Sequence, residues 1–219
     1  MNDMVKAESK TNTKTMANPV VTEIVRNGLV AVTEEMKINL MRTAYNMIIY
    51  EALDFTVGMF DARGNTVSIG LGLPMFIRGM SETVKAKIAH FKGDIDPGDI
   101  LLTNDAYITG SHLNHMTFSV PVFHDNELVG FSCCMAHWPD VGGMTPGGAS
   151  SEGCTEIYQE GLRIPPMRIM REGKLQEDLF SFILLNMRFA EDRPADLRAQ
   201  VAANQIGEQR LHELAKKYG

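Results

Sequence analysis

The stretch SHLNHMTFSVPVFHDNELVGFSCCMAHWPDVGG, residues 111–143, decides the fold that this sequence predicts. Two apolar runs lie on either side of the polar turn DNE at 125–127, a pattern typical of a β-hairpin. Pro121 lies inside the first run, where a proline indicates an edge position or a bulge. We therefore predict a hairpin over the apolar part of this stretch.

Four of the six histidines of the chain lie in the same stretch, namely His112, His115, His124 and His137. In a hairpin, the start of the first strand and the end of the second lie at the same end of the sheet. We therefore expect His112 and His115 beside His137, and His124 in the exposed turn. Imidazole nitrogens suit zinc, iron, manganese or nickel, and three protein ligands with an open position are typical of a catalytic metal site. On spacing alone, histidines that only make hydrogen bonds remain the alternative.

The segments on either side of the hairpin predict helices. Apolar residues recur at helical spacing over 19–45, and a thin apolar stripe runs along 194–218. Both patterns indicate long helices, one N-terminal and one C-terminal. A shorter helix is expected over 176–188, where acidic residues in the first turn suit the helix dipole.

A second hairpin is indicated by FTVGMFD and TVSIG, which flank a glycine-containing turn. The helical spacing in SETVKAKIAHF follows it, with Ser81 as the expected cap. Because the strands come in hairpins rather than in strict βα alternation, we predict the α+β class. The expected architecture has antiparallel hairpins and a mixed sheet flanked by helices.

The bulk composition excludes several classes of protein. The chain has 219 residues, 44% of them hydrophobic and 22% charged, which is enough to build a core. The formal net charge of −6 argues against nucleic-acid binding, which favours a basic face. With no run of about 18 apolar residues, no transmembrane helix is predicted. The polar residues 1–18 predict a disordered tail that precedes one domain over 19–219.

The three cysteines form a poor disulfide framework, because their number is odd and Cys133 and Cys134 are adjacent. Reduced thiols in a cytoplasmic protein are the simpler interpretation. Both adjacent cysteines lie in an apolar run, where cysteine usually acts as a small hydrophobic residue.

Several common catalytic motifs are absent from the sequence: HExxH, a CxxC pair, the P-loop GxxxxGK[ST] and GxSxG. Without a P-loop, any nucleotide chemistry is expected to occur elsewhere than in this chain.

Three segments resemble motifs of the hydantoinase B/5-oxoprolinase family and follow one another in the same order. They are LTNDAYITGSHLNHMTFSVPVF, LVGFSCCMAHWPDVGGMTPGGAS and TEIYQEGLRIPPMRI. The family patterns run roughly NDPY-x-GG-THLPD, AH-x-x-DIGG-x-x-PG and EGLRIPP, and the upstream EALDFTVGMFD is similar to a further family motif. The likeness covers about residues 20–219. Because B-type subunits run longer, it implies that 19–219 is the N-terminal portion of a truncated hydantoinase B-like domain.

The resemblance implies a metal centre and names its residues. His112 matches the histidine of THLPD, His137 matches that of AHxxD, and Asp54 matches the aspartate of the upstream motif. His115, a further candidate ligand, falls where most cyclic-amidase members have aspartate, which makes the site softer. Asp54 is expected to position or deprotonate a water, and Asp140 to act in catalysis by orienting a histidine.

The activity implied by the resemblance is ATP-dependent hydrolysis of a cyclic amide related to hydantoin or 5-oxoproline. An A-type partner subunit would bind ATP and phosphorylate the carbonyl oxygen of this small molecule. The present chain would hold a divalent metal (Zn, Mn or Fe) whose bound water attacks that carbonyl. The implied assembly is a cytoplasmic hetero-oligomer without membrane or nucleic-acid partners. One alternative is a ketone carboxylase of the acetone or acetophenone type, and another is a non-catalytic remnant that binds metal or the partner.

Overall fold

The structure is a computed structural model that describes residues 18–76, 78–147 and 153–218. All but the last residue of the predicted tail over 1–18 lies outside the described residues. The helices are α1 (Pro19–Thr43), α2 (Met47–Tyr50), α3 (Gly79–Phe91), α4 (Ala106–Thr109), α5 (Glu177–Leu185) and α6 (Arg193–Tyr218). The strands are β1 (Phe55–Asp61), β2 (Thr66–Leu71), β3 (Ile100–Thr103), β4 (His115–His124), β5 (Glu127–His137), β6 (Met167–Arg171) and β7 (Lys174–Leu175). Three short 3₁₀ turns lie at Pro74–Phe76, Ile157–Gln159 and Ala190–Asp192.

The described strands form one sheet in the order β2-β1-β5-β4-β3-β6-β7. This confirms the α+β class. Each pairing among these strands is antiparallel, so the expected mixed sheet contains no parallel pair in the described part of the chain. The physical reason is that β1–β2, β4–β5 and β6–β7 are hairpins, and the remaining neighbours also run in opposite directions.

Helices cover both faces of the sheet. Alternate residues of β5 point to opposite faces, because successive side chains of a strand alternate. Cys134 and Ala136 pack against α1 and α6, whereas Cys133 and Met135 pack against α3. Helix α5 packs through Phe180 on the same face as Cys134 and Ala136. No helix in the described ranges combines the length and the apolar character needed to cross a membrane.

The hairpin over residues 111–143 is confirmed as β4–β5, whose first pair is His115 with His137 and whose last is His124 with Glu127. Asp125 and Asn126 in the turn have φ of 48° and 65°, as a two-residue turn with a right-handed twist requires. Strand β3 pairs with β4 only as far as Ser119, so Pro121 lies at a locally unpaired edge and just before a register shift. Its predicted position is therefore also confirmed.

A buried lysine ties α3 to the sheet. The Nζ of Lys87 donates to Leu101 O at 3.0 Å, to Thr117 O at 2.8 Å and to Ser119 Oγ at 2.9 Å. Lys87 has no exposed surface, and burial lowers its pKa to about 7. The three acceptors satisfy the three N–H bonds of an ammonium group, so the lysine can hold its proton inside the core.

The predicted cap at Ser81 is wrong. Helix α3 begins at Gly79, so Ser81 lies in its first turn, and its hydroxyl donates to Gly64 O at 2.7 Å. Ser81 therefore binds the β1–β2 turn instead of the helix end. The other predicted helices are present with small differences at their ends, since α1 ends at Thr43 and α5 at Leu185.

Candidate metal centre

Three histidines meet at the open end of the β4–β5 hairpin. The ring centroid of His112 lies 4.3 Å from that of His115 and 5.0 Å from that of His137. The rings of His115 and His137 are 5.3 Å apart. The proximity expected from hairpin topology is therefore confirmed. His124 lies at the turn, at the other end of the same strands, with its side chain 37% exposed.

Asp54 reaches the histidines because β1 pairs with β5. Phe55 opposes Ala136 in this pairing, and the backbone N–H of His137 donates to Asp54 O at 3.1 Å. One ligand atom from each of Asp54, His112 and His137 lies within 4.8 Å of the others. The carboxylate that the sequence places just before the strand thus joins two imidazoles from the hairpin.

These three side chains fit a divalent metal. Two imidazole nitrogens and one carboxylate oxygen form a donor set that suits zinc, manganese or iron. Within the part of the chain that the structure describes, the buried Nδ1 of His137 has no hydrogen-bond partner. Buried polar atoms are normally satisfied, so an unpartnered nitrogen beside two other donors fits a metal ligand.

His115 lies against Asp54, and each of its two ring nitrogens makes a hydrogen bond. Its Nε2 lies 2.9 Å from Asp54 Oδ1, and its Nδ1 lies 2.8 Å from Ser111 Oγ. The ring is fully buried, with the ring of Phe76 at 4.5 Å. In this arrangement His115 supports the Asp54 carboxylate. Its role as a ligand in its own right stays a prediction, and would require one of these hydrogen bonds to break.

The electrostatics of the site favour the protonation states that a metal needs. Burial lowers the pKa of His137 to about 4, and the neighbouring imidazoles act in the same direction. Burial also lowers the pKa of His112. Burial alone raises the pKa of Asp54, but the hydrogen bond from His115 and the three nearby imidazoles outweigh it and lower the pKa overall. At neutral pH the site therefore offers bare imidazole nitrogens and an ionised carboxylate.

Among the described residues, Asp140 makes no hydrogen bond to a histidine, which corrects the expectation that it orients one directly. Its buried carboxylate accepts from Gly142 N at 2.7 Å and from Gly147 N at 2.9 Å. It also accepts from the backbone N–H and from Nη1 of Arg188, both at 3.1 Å. Asp140 therefore holds the glycine-rich loop after β5. Arg188 is distant in sequence, and no local pattern indicated it.

Three polar residues of the site were not identified from the sequence. Ser111 contacts His115, as described above, and Asn46 donates from Nδ2 to His137 O at 2.7 Å. Asn114 is a third, with Oδ1 at 3.2 Å from Nδ1 of His112. The only available signal for Ser111 and Asn114 was their position among the histidines of the SHLNH segment.

A cavity of about 470 Å³ opens onto His112, and Tyr107, Ser111, Glu156 and Glu160 line it. It offers room for a small molecule beside one of the three candidate ligands. A larger cavity of about 870 Å³, lined by Tyr45, Met47 and other residues, contains none of the three. The smaller cavity is therefore the relevant one for chemistry at this centre.

Comparisons with known proteins identify the family of the chain. The family model described as hydantoinase B/oxoprolinase matches residues 18–219. The chain is 33% identical over 202 residues to caprolactamase subunit beta of Pseudomonas jessenii, which covers 92% of this chain and 35% of that subunit. It is 31% identical over 212 residues to the 5-oxoprolinase of Dictyostelium discoideum, covering 97% of this chain and 17% of that enzyme. The chain thus spans about a third of the first protein and about a sixth of the second.

Two solved structures share the fold. The ATP-dependent caprolactamase of Pseudomonas jessenii matches with a TM-score of 0.87 and 32% identity, over 93% of this chain and 35% of that chain. A nucleotide-free structure of acetone carboxylase matches with a TM-score of 0.85 and 18% identity, over 92% of this chain and 27% of that chain. The second likeness concerns the fold alone.

Proposed function

Because the chain belongs to the hydantoinase B/oxoprolinase family, we propose that it supplies the metal-binding part of an ATP-dependent enzyme that hydrolyses a cyclic amide. The observation that carries the proposal is the convergence of Asp54, His112 and His137 within 4.8 Å. The two named relatives at more than 30% identity support the substrate class. Caprolactam and 5-oxoproline, from which their names derive, are both lactams.

The chain's own residues have distinct roles in this proposal. Asp54, His112 and His137 would hold zinc, manganese or iron. When bound, such a metal supplies Lewis-acid polarisation and lowers the pKa of a water towards about 7. His115 keeps Asp54 ionised and in place through the 2.9 Å contact of Nε2 with the carboxylate. The cavity beside His112 would receive the cyclic amide.

ATP would be bound by a separate A-type subunit, which phosphorylates the carbonyl oxygen of the amide. The absence of a P-loop from this sequence agrees with such a division of labour. A relative named as a beta subunit, and the description of its enzyme as ATP-dependent, support a partner subunit. The functional unit we propose is therefore a hetero-oligomer.

A ketone carboxylase is the weaker candidate. Its support is a likeness in fold at 18% identity, whereas the lactam-related relatives lie above 30%. A non-catalytic remnant that binds only the partner subunit gives no reason for Asp54, His112 and His137 to converge, whereas a remnant that binds metal would use the same donors and differs from the hydrolase in activity alone. Both alternatives are separated from the hydrolase by the same assay.

The test is metal content and ring opening in the protein purified with its A-type subunit. We expect about one divalent metal per chain, and His112→Ala, His137→Ala and Asp54→Asn each to lose it. ATP-dependent opening of caprolactam, 5-oxoproline or hydantoin should fall by a factor of about 10³ or more in these variants, because three-ligand sites rarely tolerate the loss of a ligand. His124→Ala, at the far end of the hairpin, is the matched control and should keep both metal and activity.

Unchanged metal content in the His112→Ala and His137→Ala variants would show that these residues do not form a metal site. Bicarbonate-dependent consumption of a ketone, without ring opening, would instead establish the carboxylase. Stoichiometric metal with neither reaction would leave the binding remnant.

A further inference from the structure

We infer that Asn114 is a positioning residue that holds His112 as its Nδ1–H tautomer and so leaves Nε2 as the nitrogen that faces a metal. The inference about the tautomer concerns the metal-free chain. Its consequence for metal binding rests on the proposed function.

The orientation of the Asn114 amide is fixed by two carbonyl groups. Asn114 is fully buried, and its Nδ2 donates to Trp138 O at 2.9 Å and to Gly147 O at 3.3 Å. A carbonyl oxygen only accepts, so the amide NH₂ must face both of them. Its backbone is also fixed, because Trp138 N donates to Asn114 O at 2.8 Å. Because the amide nitrogen and the backbone are both fixed, the Oδ1 of Asn114 can point in one direction only.

That direction is the ring of His112. Oδ1 lies 3.2 Å from Nδ1 of His112, and an amide oxygen carries no hydrogen. A hydrogen bond between these atoms therefore requires the proton to be on Nδ1, since otherwise two acceptors would face each other. In a neutral ring the remaining nitrogen, Nε2, then carries a free lone pair.

The neighbouring histidine is held in the opposite tautomer. The Asp54 carboxylate accepts from Nε2 of His115 at 2.9 Å, so the proton of that ring is on Nε2, and its Nδ1 accepts from Ser111 Oγ at 2.8 Å. His112 and His115 are three positions apart, yet their hydrogen-bond partners assign different nitrogens to the proton. His115 thus gives an internal reference for the measurement below.

Asp140 is linked to His112 indirectly, through Gly147 and the side-chain amide of Asn114. The carbonyl of Gly147 is one of the two groups that orient Asn114, and Gly147 N donates to Asp140 Oδ2 at 2.9 Å. Arg188 donates to the same carboxylate oxygen from Nη1 at 3.1 Å, and to Gly143 O from Nη2 at 2.9 Å. The loop that follows β5 therefore presents the Gly147 carbonyl at a defined place.

The experiment is long-range ¹H–¹⁵N NMR of the metal-free, ¹⁵N-labelled chain, with the ring signals of His112 assigned by their loss in His112→Gln. We expect Nδ1 of His112 to show the shift of a protonated nitrogen and Nε2 that of a bare one, with the reverse pattern for His115. Asn114→Leu should abolish this pattern for His112, because leucine offers no acceptor to Nδ1–H.

Asn104→Leu is the matched control. Asn104 is also fully buried, and its Nδ2 also donates to two carbonyls, Leu113 O at 2.7 Å and Leu162 O at 2.9 Å. Its Oδ1, however, accepts from the backbone N–H of Ile164, so it contacts no histidine. Loss of either asparagine should therefore weaken the fold similarly, but only the loss of Asn114 should change the tautomer of His112.

Metal affinity provides the second readout, measured as competition for Zn²⁺ with a chromophoric chelator. Asn114→Leu should weaken Zn²⁺ binding by roughly 10- to 100-fold, as for other partners that orient a ligand, and Asn104→Leu by much less. A proton on Nε2 of His112 in the parent chain would overturn the inference, and the parent spectrum tests it even if Asn114→Leu fails to fold. An unchanged tautomer in Asn114→Leu, or an equal change in Asn104→Leu, would also overturn it. Failure of the proposed function would look different, with the predicted tautomers present but no Zn²⁺ bound by the parent chain.

Discussion

At the residue scale, His115 decides the charge of the candidate centre. It takes the place of the aspartate in the THLPD pattern that this segment resembles, and it is buried against the Asp54 carboxylate at 2.9 Å. The imidazole that donates to Asp54 stabilises the metal-free site. An aspartate there would place a second carboxylate beside the first and make the site depend on a cation.

We therefore expect His115→Asp to lower the free energy of unfolding of the metal-free chain by about 1–3 kcal/mol, because the buried Asp54 oxygen loses its donor. Added Mn²⁺ should raise the melting temperature of this variant more than that of the parent, since a second carboxylate suits a harder ion. Thermal unfolding with Zn²⁺, Mn²⁺ or a chelator measures both effects. His115→Gln, whose amide nitrogen takes about the place of Nε2 and which adds no charge, is the control. Equal responses of the two variants to Mn²⁺ would contradict the role assigned to His115.

Residues of the site differ in how well the sequence could predict them. His112, His137 and Asp54 carry family motifs, and hairpin topology alone placed the two histidines together. The partners of Asp140 could not be predicted, because Arg188 approaches it only through the packing of the α5–α6 connection. Hydrogen bonds to backbone groups, such as those of Asn114, likewise leave no pattern in the sequence.

At the scale of elements, Lys87 joins α3 to β3 and β4 and makes their packing sensitive to pH. Burial lowers the pKa of Lys87 to about 7, whereas the pKa of an unfolded lysine is about 10.4. Between these values the unfolded chain binds a proton that the folded chain partly releases. The contribution of Lys87 to stability therefore increases as the pH rises through this window and is constant below it.

The expected slope is at most about 1.4 kcal/mol per pH unit. Urea unfolding of the parent and of Lys87→Met at pH 6 to pH 9 measures it as the difference between the two, in which other titrating groups cancel. Lys85→Met is the control, because Lys85 lies on the same helix with its side chain 42% exposed. A difference that does not vary with pH would mean that Lys87 stays fully protonated in the core.

The ends of elements were less predictable than their existence. The apolar spacing located α1, α3, α5 and α6, but it cannot show where a helix begins when a serine near its start has a better acceptor elsewhere. Ser81 illustrates this, since its hydroxyl binds Gly64 O across the tertiary structure. The antiparallel pairing of β1 with β5 is also a long-range contact that no local period encodes.

At the scale of the whole molecule, α6 lies close to both α1 and the sheet at Gly207. A Cβ atom on Gly207 would overlap Ser132 Oγ and would lie 2.8 Å from Sδ of Met36. Met36 belongs to α1 and Ser132 to β5, so this glycine lets α6 pack against both.

Gly207→Ala should therefore destabilise the protein by about 1–3 kcal/mol through overpacking, although alanine favours an isolated helix over glycine by about 1 kcal/mol. Gly28→Ala, at the other end of the α1–α6 contact, is the control. Its Cβ would meet only the flexible end of Leu214, at 3.0 Å, so we expect no loss and a small gain in stability. Chemical denaturation of both variants compares them directly, and an equal effect would exclude close packing at Gly207.

The arrangement of the sheet also determines the order in which the donors of the centre meet during folding. His112 and His137 are joined by one hairpin, whereas Asp54 reaches His137 only when β1 closes a much longer loop onto β5. Closing a short loop loses less chain entropy and occurs sooner. The two imidazoles should therefore come together before the carboxylate does, so an ion captured by the nascent chain would be held first by nitrogen and only later by oxygen.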